Sequence, residues 1–249
     1  MTFAWLPDTE RPLLIAGNRD EFHARPTAAA DHWPEMSKIF GGRDLSQGGG
    51  WLAVSTHNRM AAVTNVRRMI PPDPKAPSRG GLVADFLGES ASAMDYAEQL
   101  RTNASRYSGF NLLLYDGASL LCVSNHPHFS VQKVTPGVHG LSNAALDTPW
   151  PKLTRVKRGL SGWLDASATE HEALFEMLGD CLPADDAELP DTGIGLEMER
   201  LLSSPFILSP HYGTRCSSIV AFTADGPQTF IERRFAPDGT VSGETQQNF

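Results

Sequence analysis

Long apolar runs are missing from this 249-residue sequence. Stretches such as Leu112 to Tyr115 fall far short of the ~20 residues a membrane helix needs, so no transmembrane segment is expected. Cysteine is scarce as well. Cys122, Cys181 and Cys216 are odd in number and lack CxxC spacing, which argues against a disulfide framework or a zinc site and for a reducing, cytoplasmic setting. Positive charge is thin: 21 basic residues stand against 29 acidic ones, a net charge of −8. No run of Lys or Arg exceeds two, so nucleic acid is not an expected partner. The N-terminus has no basic region ahead of an apolar stretch and the C-terminus has no lipidation box, so neither export nor anchoring is expected. Repeats and low-complexity linkers are also absent.

The chain is 41% apolar, too much for a disordered protein and enough for one core, so residues 1–249 read as a single domain. Phe3–Leu6 and Pro12–Ala16 flank a Pro-Asp turn and predict a hairpin whose second strand ends at Asn18. Residues 21–50 show little periodicity. Trp51–Ser55 and Met60–Val66 predict a second hairpin, followed by a Pro-rich loop over 67–80. Ser78 is placed to cap a helix running to Leu87, and Ala91–Ala104 has helical spacing. Strands return at Phe110–Tyr115, Ser119–Ser124 and Ser130–Val134. Helices resume at Trp150–Leu164, Thr169–Leu182 and Leu196–Leu202. The chain closes with strands at Ser217–Thr223 and Thr229–Arg234 and a weak strand after Gly239. Hairpins alternating with helix pairs predict an α+β layered domain of antiparallel sheets covered by helices.

Asn18, Arg19, Asp20 and Glu21 follow the apolar run Leu13–Gly17 directly, four hydrogen-bonding side chains at a strand exit. They are either a solvated strand end, with Arg19 paired to an acid, or a functional site. Gly41-Gly42 and Gly48-Gly49-Gly50 lack the Lys-Ser/Thr and helix context of a phosphate loop. They form either a mobile loop or a flap at a pocket rim, next to Trp51, which reads as core or as a ligand contact. Asn65, Asn143 and Arg215 sit at comparable strand ends and are of the types that stabilise an oxyanion, although Asn in turns commonly caps its own backbone. The eight histidines show no i,i+4 metal pair, so no metal ligand is assigned. No Gly-x-Ser-x-Gly elbow is present. Cys122 reads as an inert core thiol, and Cys216 beside Arg215 as a buried thiol or a ligand contact.

Asn18-Arg19-Asp20-Glu21-Phe22 with Ala24-Arg25-Pro26-Thr27, Gly49-Gly50-Trp51-Leu52, Thr64-Asn65, Arg79-Gly80-Gly81-Leu82-Val83, Gly109-Phe110-Asn111-Leu112, Gly140-Leu141-Ser142-Asn143, Thr148-Pro149-Trp150-Pro151-Lys152 and Tyr212-Gly213-Thr214-Arg215 occur in order along the chain. This series resembles the NRDE family, the transport-and-Golgi-organisation (TANGO) proteins. The resemblance implies a four-layer αββα sandwich similar to the N-terminal-nucleophile (Ntn) hydrolases. In their acylase branch the first residue is nucleophile and, through its α-amine of pKa near ~7.7, also base.

By the same resemblance Arg19 and Asp20 orient that nucleophile, Asn65 and Asn143 serve as oxyanion or substrate donors, and Arg215 settles the charge. Asn18, Glu21, Trp51 and Cys216 complete a ligand site. The family begins Met-Cys, which would fall about two positions before Met1, and Thr2 lies roughly 10 Å along the strand from that place. Either Met1 is internal to the native strand or the protein does not use that nucleophile. Two functions follow: binding and trafficking of haem or another lipophilic metabolite, with no cofactor required, or hydrolysis of a small acyl amide by an Ntn-type amidohydrolase.

Overall fold

The structure, a computed structural model, describes residues 1–67, 73 and 75–249. Its first strands are β1 (Thr2–Trp5), β2 (Leu13–Phe22), β3 (Thr27–Trp33), β4 (Met36–Asp44), β5 (Leu52–Ser55) and β6 (Arg59–Asn65). Helices α1 (Arg79–Gly88) and α2 (Ala93–Arg101) follow, then β7 (Phe110–Tyr115), β8 (Leu120–Ser124), β9 (Ser130–Lys133) and β10 (Gly137–Gly140). Next come α3 (Pro151–Asp165), α4 (Glu172–Leu178) and α5 (Leu196–Leu201), before β11 (Tyr212–Thr223), β12 (Gly226–Phe235) and β13 (Val241–Asn248). No helix among the described residues is long and apolar enough to cross a membrane.

The strands form a six-stranded sheet, β10-β1-β2-β11-β12-β13, and a seven-stranded sheet, β3-β4-β5-β6-β7-β8-β9. Every pairing is antiparallel. Because successive side chains point to opposite faces of a strand, both sheets are apolar on both sides. Ile15, Val220 and Phe230 of one sheet meet Phe40, Val54 and Leu113 of the other. Leu14, Ile219 and Ile231 face Leu160 and Trp163 of α3 and Leu174 of α4. Ala53, Leu112 and Leu114 face Phe86 of α1 and Tyr96 of α2. The result is the expected four-layer αββα sandwich, in which each buried Phe or Leu contributes roughly 1.5–3 kcal/mol.

Local chemistry sets the helix ends. The Ser92 hydroxyl accepts from Asp95 N at α2, and Pro151 opens α3, where its missing N–H costs nothing. Ser78 occupies the N-cap position of α1, but its side chain makes no cap bond.

Several sequence expectations are corrected. The second strand runs on to Phe22 instead of ending at Asn18, because β11 pairs with it from Tyr212 to Phe222. β11 likewise starts at Tyr212 and not Ser217; a bulge between Thr214 and Cys216 hides its alternation. The supposedly irregular 21–50 stretch holds the β3–β4 hairpin, disguised by small residues such as Ala28–Ala30 and Gly41-Gly42. The short edge strand β10 was not expected. Gly179 closes α4 at Leu178, short of Leu182. The expected 67–80 loop lies largely outside the described residues.

Candidate functional site

The exit of β2 organises the polar groups. Leu13 and Ile15 point between the sheets while Leu14 and Ala16 point to the helices, and the alternation carries on through the charged residues. Arg19 therefore turns toward the second sheet, where its guanidinium carbon lies 4.3 Å from the centre of the Trp51 ring. Asn18 and Asp20 turn toward the helices. Asn18 is used up by the fold: its amide donates to the Leu178 and Pro205 carbonyls, both at 2.9 Å, and its oxygen accepts from Ser217 Oγ at 2.6 Å. The structure does not bring Asn18 to the other candidates.

On the helix side, Asp20 Oδ1 accepts from Thr214 Oγ1 at 2.7 Å, and that hydroxyl accepts from Ile207 N at 2.9 Å. The Asp20 charge acts on Lys152, which is buried in the first turn of α3. Desolvation pulls the Lys152 ammonium below its ordinary value, Asp20 and Glu199 oppose that, and Arg67 reinforces it. Arg67 binds Glu199 at 2.9 Å and stacks on Trp150. Its N–H donates to the Asn143 carbonyl at 2.8 Å, and Asn143 Nδ2 donates to the Asn65 carbonyl at 3.0 Å. The Asn65–Asn143 pair thus stitches the end of β6 to the segment after β10, next to Arg67. The Met1 amine lies in the same region, donating to the Leu141 carbonyl at 3.0 Å. Burial and Lys152 lower its pKa to about 6 against Asp20. Thr2 is wholly buried, and its hydroxyl donates to the His139 carbonyl at 2.9 Å.

On the inter-sheet side lies a cleft of about 100 Å³ lined by Trp51, Arg215, Cys216, Glu232, Arg234 and small residues of β3. Arg215 is the bulged residue of β11. Its Nη1 donates to the Phe22, His23 and Arg25 carbonyls at 3.0, 3.1 and 3.3 Å, closing the turn after β2. Arg19 Nη1 donates to Thr27 Oγ1 at 3.3 Å, and Glu21 pairs with Arg25 at 3.6 Å and with Arg19 at 3.9 Å. Cys216 and Cys122 are buried and hard to ionise: burial raises the Cys216 thiol well above its usual value and pushes Cys122 up to about 12. Phe22, against the Tyr212 ring, and Leu45, whose N–H donates to the Pro26 carbonyl, are 59% and 60% exposed, and the charges of Glu21 and Arg25 act on the partly buried Arg79.

The expected mobile glycine loop is instead tied down. Gly50 N donates to the Gly80 carbonyl at 3.3 Å, and Gly48 N to the Asp44 carbonyl at 2.9 Å. Asp44 in turn holds Arg25 Nε at 2.9 Å.

The candidates therefore fall on two sides of one strand exit. Arg19, Glu21, Trp51, Arg215 and Cys216 gather at the inter-sheet cleft, while Asp20 acts on Lys152 and Asn65 and Asn143 are joined to each other beside Arg67. Sequence reasoning missed Lys152, Arg67, Glu199, Glu232 and Arg234. Glu232 carried a signal nonetheless, since alternation along Thr229–Arg234 puts it on the face of the core residue Phe230.

A sequence model described as Transport and Golgi organisation 2 matches residues 1–237. The Transport and Golgi organization protein 2 homolog of Homo sapiens is 36% identical over 252 residues, covering 94% of this chain and 90% of the relative. The Drosophila melanogaster protein of that name is 28% identical, covering 88% and 85%. Among solved structures, a variant of the conjugated bile acid hydrolase from Clostridium perfringens matches with a TM-score of 0.57 at 9% identity, over 100% of this chain and 92% of that one. Penicillin V acylase from Agrobacterium tumefaciens matches at 0.50 with 13% identity, over 97% and 84%. At such identities the likeness is one of fold, that of the Ntn hydrolases.

Proposed function

The chain belongs to the Transport and Golgi organisation 2 family, and from that premise we propose that it binds and hands over a lipophilic metabolite bearing an acidic group, haem or an acyl compound, in the cytoplasm. The observation that carries this reading is the mouth of the inter-sheet cleft. Arg215 and Arg234 line this cleft of about 100 Å³ together with the Trp51 ring, Ala28 and Ala29. Such a space takes the polar end of a ligand and leaves a larger apolar body outside. Exposed contact suits release to another protein better than enclosure does, and three unpaired cysteines suit a reducing compartment.

The test is titration of the purified protein with haemin, followed at the Soret band, and with a long-chain fatty acid, followed by tryptophan fluorescence. Saturable binding is expected, weakened at least tenfold in an Arg234→Ala variant, which removes a cationic group from the cleft. Flat titrations with both ligands would overturn the carrier reading.

Amide hydrolysis is the second reading, favoured by the register of β1. Thr2 pairs with Ala16 on one side and Gly140 on the other, so two positions before Met1 fall opposite Arg19 and Asn143. A cysteine added there by extending the chain with Met-Cys and one spacer residue is expected to release acid from an acyl-amide panel if this reading holds. The unextended chain has Thr2 locked against His139 and is expected to be inactive.

A further inference from the structure

We infer that the cavity beside Glu232 is a binding site for the carboxylate of a short monocarboxylic acid, acetate to butyrate in size, or for the same end of a longer acid. Glu232 is 1% exposed. Its Oε1 accepts from Ala30 N at 2.8 Å and Arg234 Nη1 at 3.4 Å, whereas Oε2 is buried with no hydrogen-bond partner among the described residues. A buried polar atom left in that state costs about 1–3 kcal/mol.

Glycine at position 42 lets the backbone pass close to the Trp51 ring and the Glu232 carboxyl. A methyl group on Gly42 would come within 2.8 Å of Glu232 Oε2 and 2.2 Å of the Trp51 ring. The space of about 100 Å³ is several times the ~10–15 Å³ that a single water requires, enough for a ligand of a few heavy atoms.

The lining selects the chemistry. Arg215 and Arg234 line the space, and guanidinium groups favour carboxylate oxygens. Burial raises the pKa of Glu232, so its carboxyl opposes a bound anion less than an ordinary glutamate would. The remaining wall includes Ala28, Ala29 and the Trp51 ring, an apolar surface for one to three carbons. A phosphate would press bare oxygens against that surface, so a carboxylate with a short tail fits better. The inference deepens the carrier reading by naming the ligand's buried end, and it rests on that reading only for the link to a longer ligand.

Calorimetric titration of the whole protein with acetate, propionate and butyrate at constant ionic strength tests it, with phosphate and butyramide as comparisons. One-to-one binding of at least one short acid is expected, with neither comparison compound bound. Affinity should fall at least tenfold in Ala29→Leu, which fills the space, and in Glu232→Leu, provided each variant keeps the parent circular dichroism. No saturable binding of any short acid, equal binding of phosphate or butyramide, or full affinity in Ala29→Leu would overturn the inference. Haemin or fatty-acid binding that persists in that event leaves the carrier reading standing.

Discussion

Glu232 is the residue at which folding and ligand chemistry pull in different directions. Burial favours its neutral form, while the Ala30 N–H and Arg234 favour the charged one, and burial prevails, so its pKa lies above the ordinary glutamate value. Between the unfolded and the folded pKa the native chain holds a proton that the unfolded chain has released. Stability from this carboxyl is therefore present in acid and lost as pH rises through that window. Glu232→Gln keeps a carbonyl for Ala30 N and removes the titration. Denaturant unfolding of the two proteins is expected to differ little near pH 4 and increasingly in favour of the glutamine variant toward pH 7. A difference that is flat across this range would show that the buried carboxyl does not titrate in it. Cys216, packed against the same carboxyl, is a protonated spectator, since burial and Glu232 raise its pKa together.

Among the elements, the glycine loop shows how a site can be positioned by what is left out. Gly49 has φ +75°, and a Cβ there would lie 2.2 Å from the Gly80 carbonyl oxygen, whereas Gly48, at φ +71°, faces open space. Gly48→Ala is thus expected to cost only the left-handed backbone penalty, about 1–2 kcal/mol, and Gly49→Ala distinctly more, because the loop must leave the start of α1. Urea midpoints of the two variants measure the difference; equal losses would mean the loop is not wedged. This docking was not legible beforehand, because a run of glycines states conformational freedom and not which backbone will fill the gap. The same limit hid the β3–β4 hairpin, whose alanines and glycines carry no apolar alternation. Legible elements had long apolar periods: α3, with Leu153, Val156, Leu160 and Trp163 on one face, and β7 and β8, buried throughout. At the site, the Asn18–Glu21 cluster stood out by its position after an apolar run. The period of two also predicts that Arg19 and Asp20 face opposite layers. Lys152 and Glu199 could not be found that way, since their burial depends on α3 and α5 meeting the ends of other elements.

For the whole molecule, net charge and local charge have opposite signs. The chain carries −8 overall, yet its β2 exit brings Arg19, Arg25, Arg79 and Arg215 near one another, with Arg215 and Arg234 lining the cleft. Glu21 and Asp44 neutralise part of this through Arg25, leaving a local excess of guanidinium groups. An acidic ligand approaching from bulk solvent is repelled by the distant surface and attracted only within a short range of the mouth. Salt screens both effects: the screening length is about 10 Å at 0.1 M and about 3 Å at 1 M. The repulsion acts over longer distances and should fade first, so association with an anionic lipophile is expected to quicken slightly when salt rises from low values to about 0.1 M. Partly buried ion pairs at the cleft are screened much less than exposed ones. Dissociation should therefore accelerate only at several tenths molar, giving an affinity that passes through a shallow maximum. A neutral analogue of the same length should show neither trend. Stopped-flow rates for a fluorescent fatty acid and its amide across 0.02–1 M salt resolve the two phases, and a monotonic fall in the association rate from the lowest salt would place the cationic mouth, not the net charge, in control of encounter.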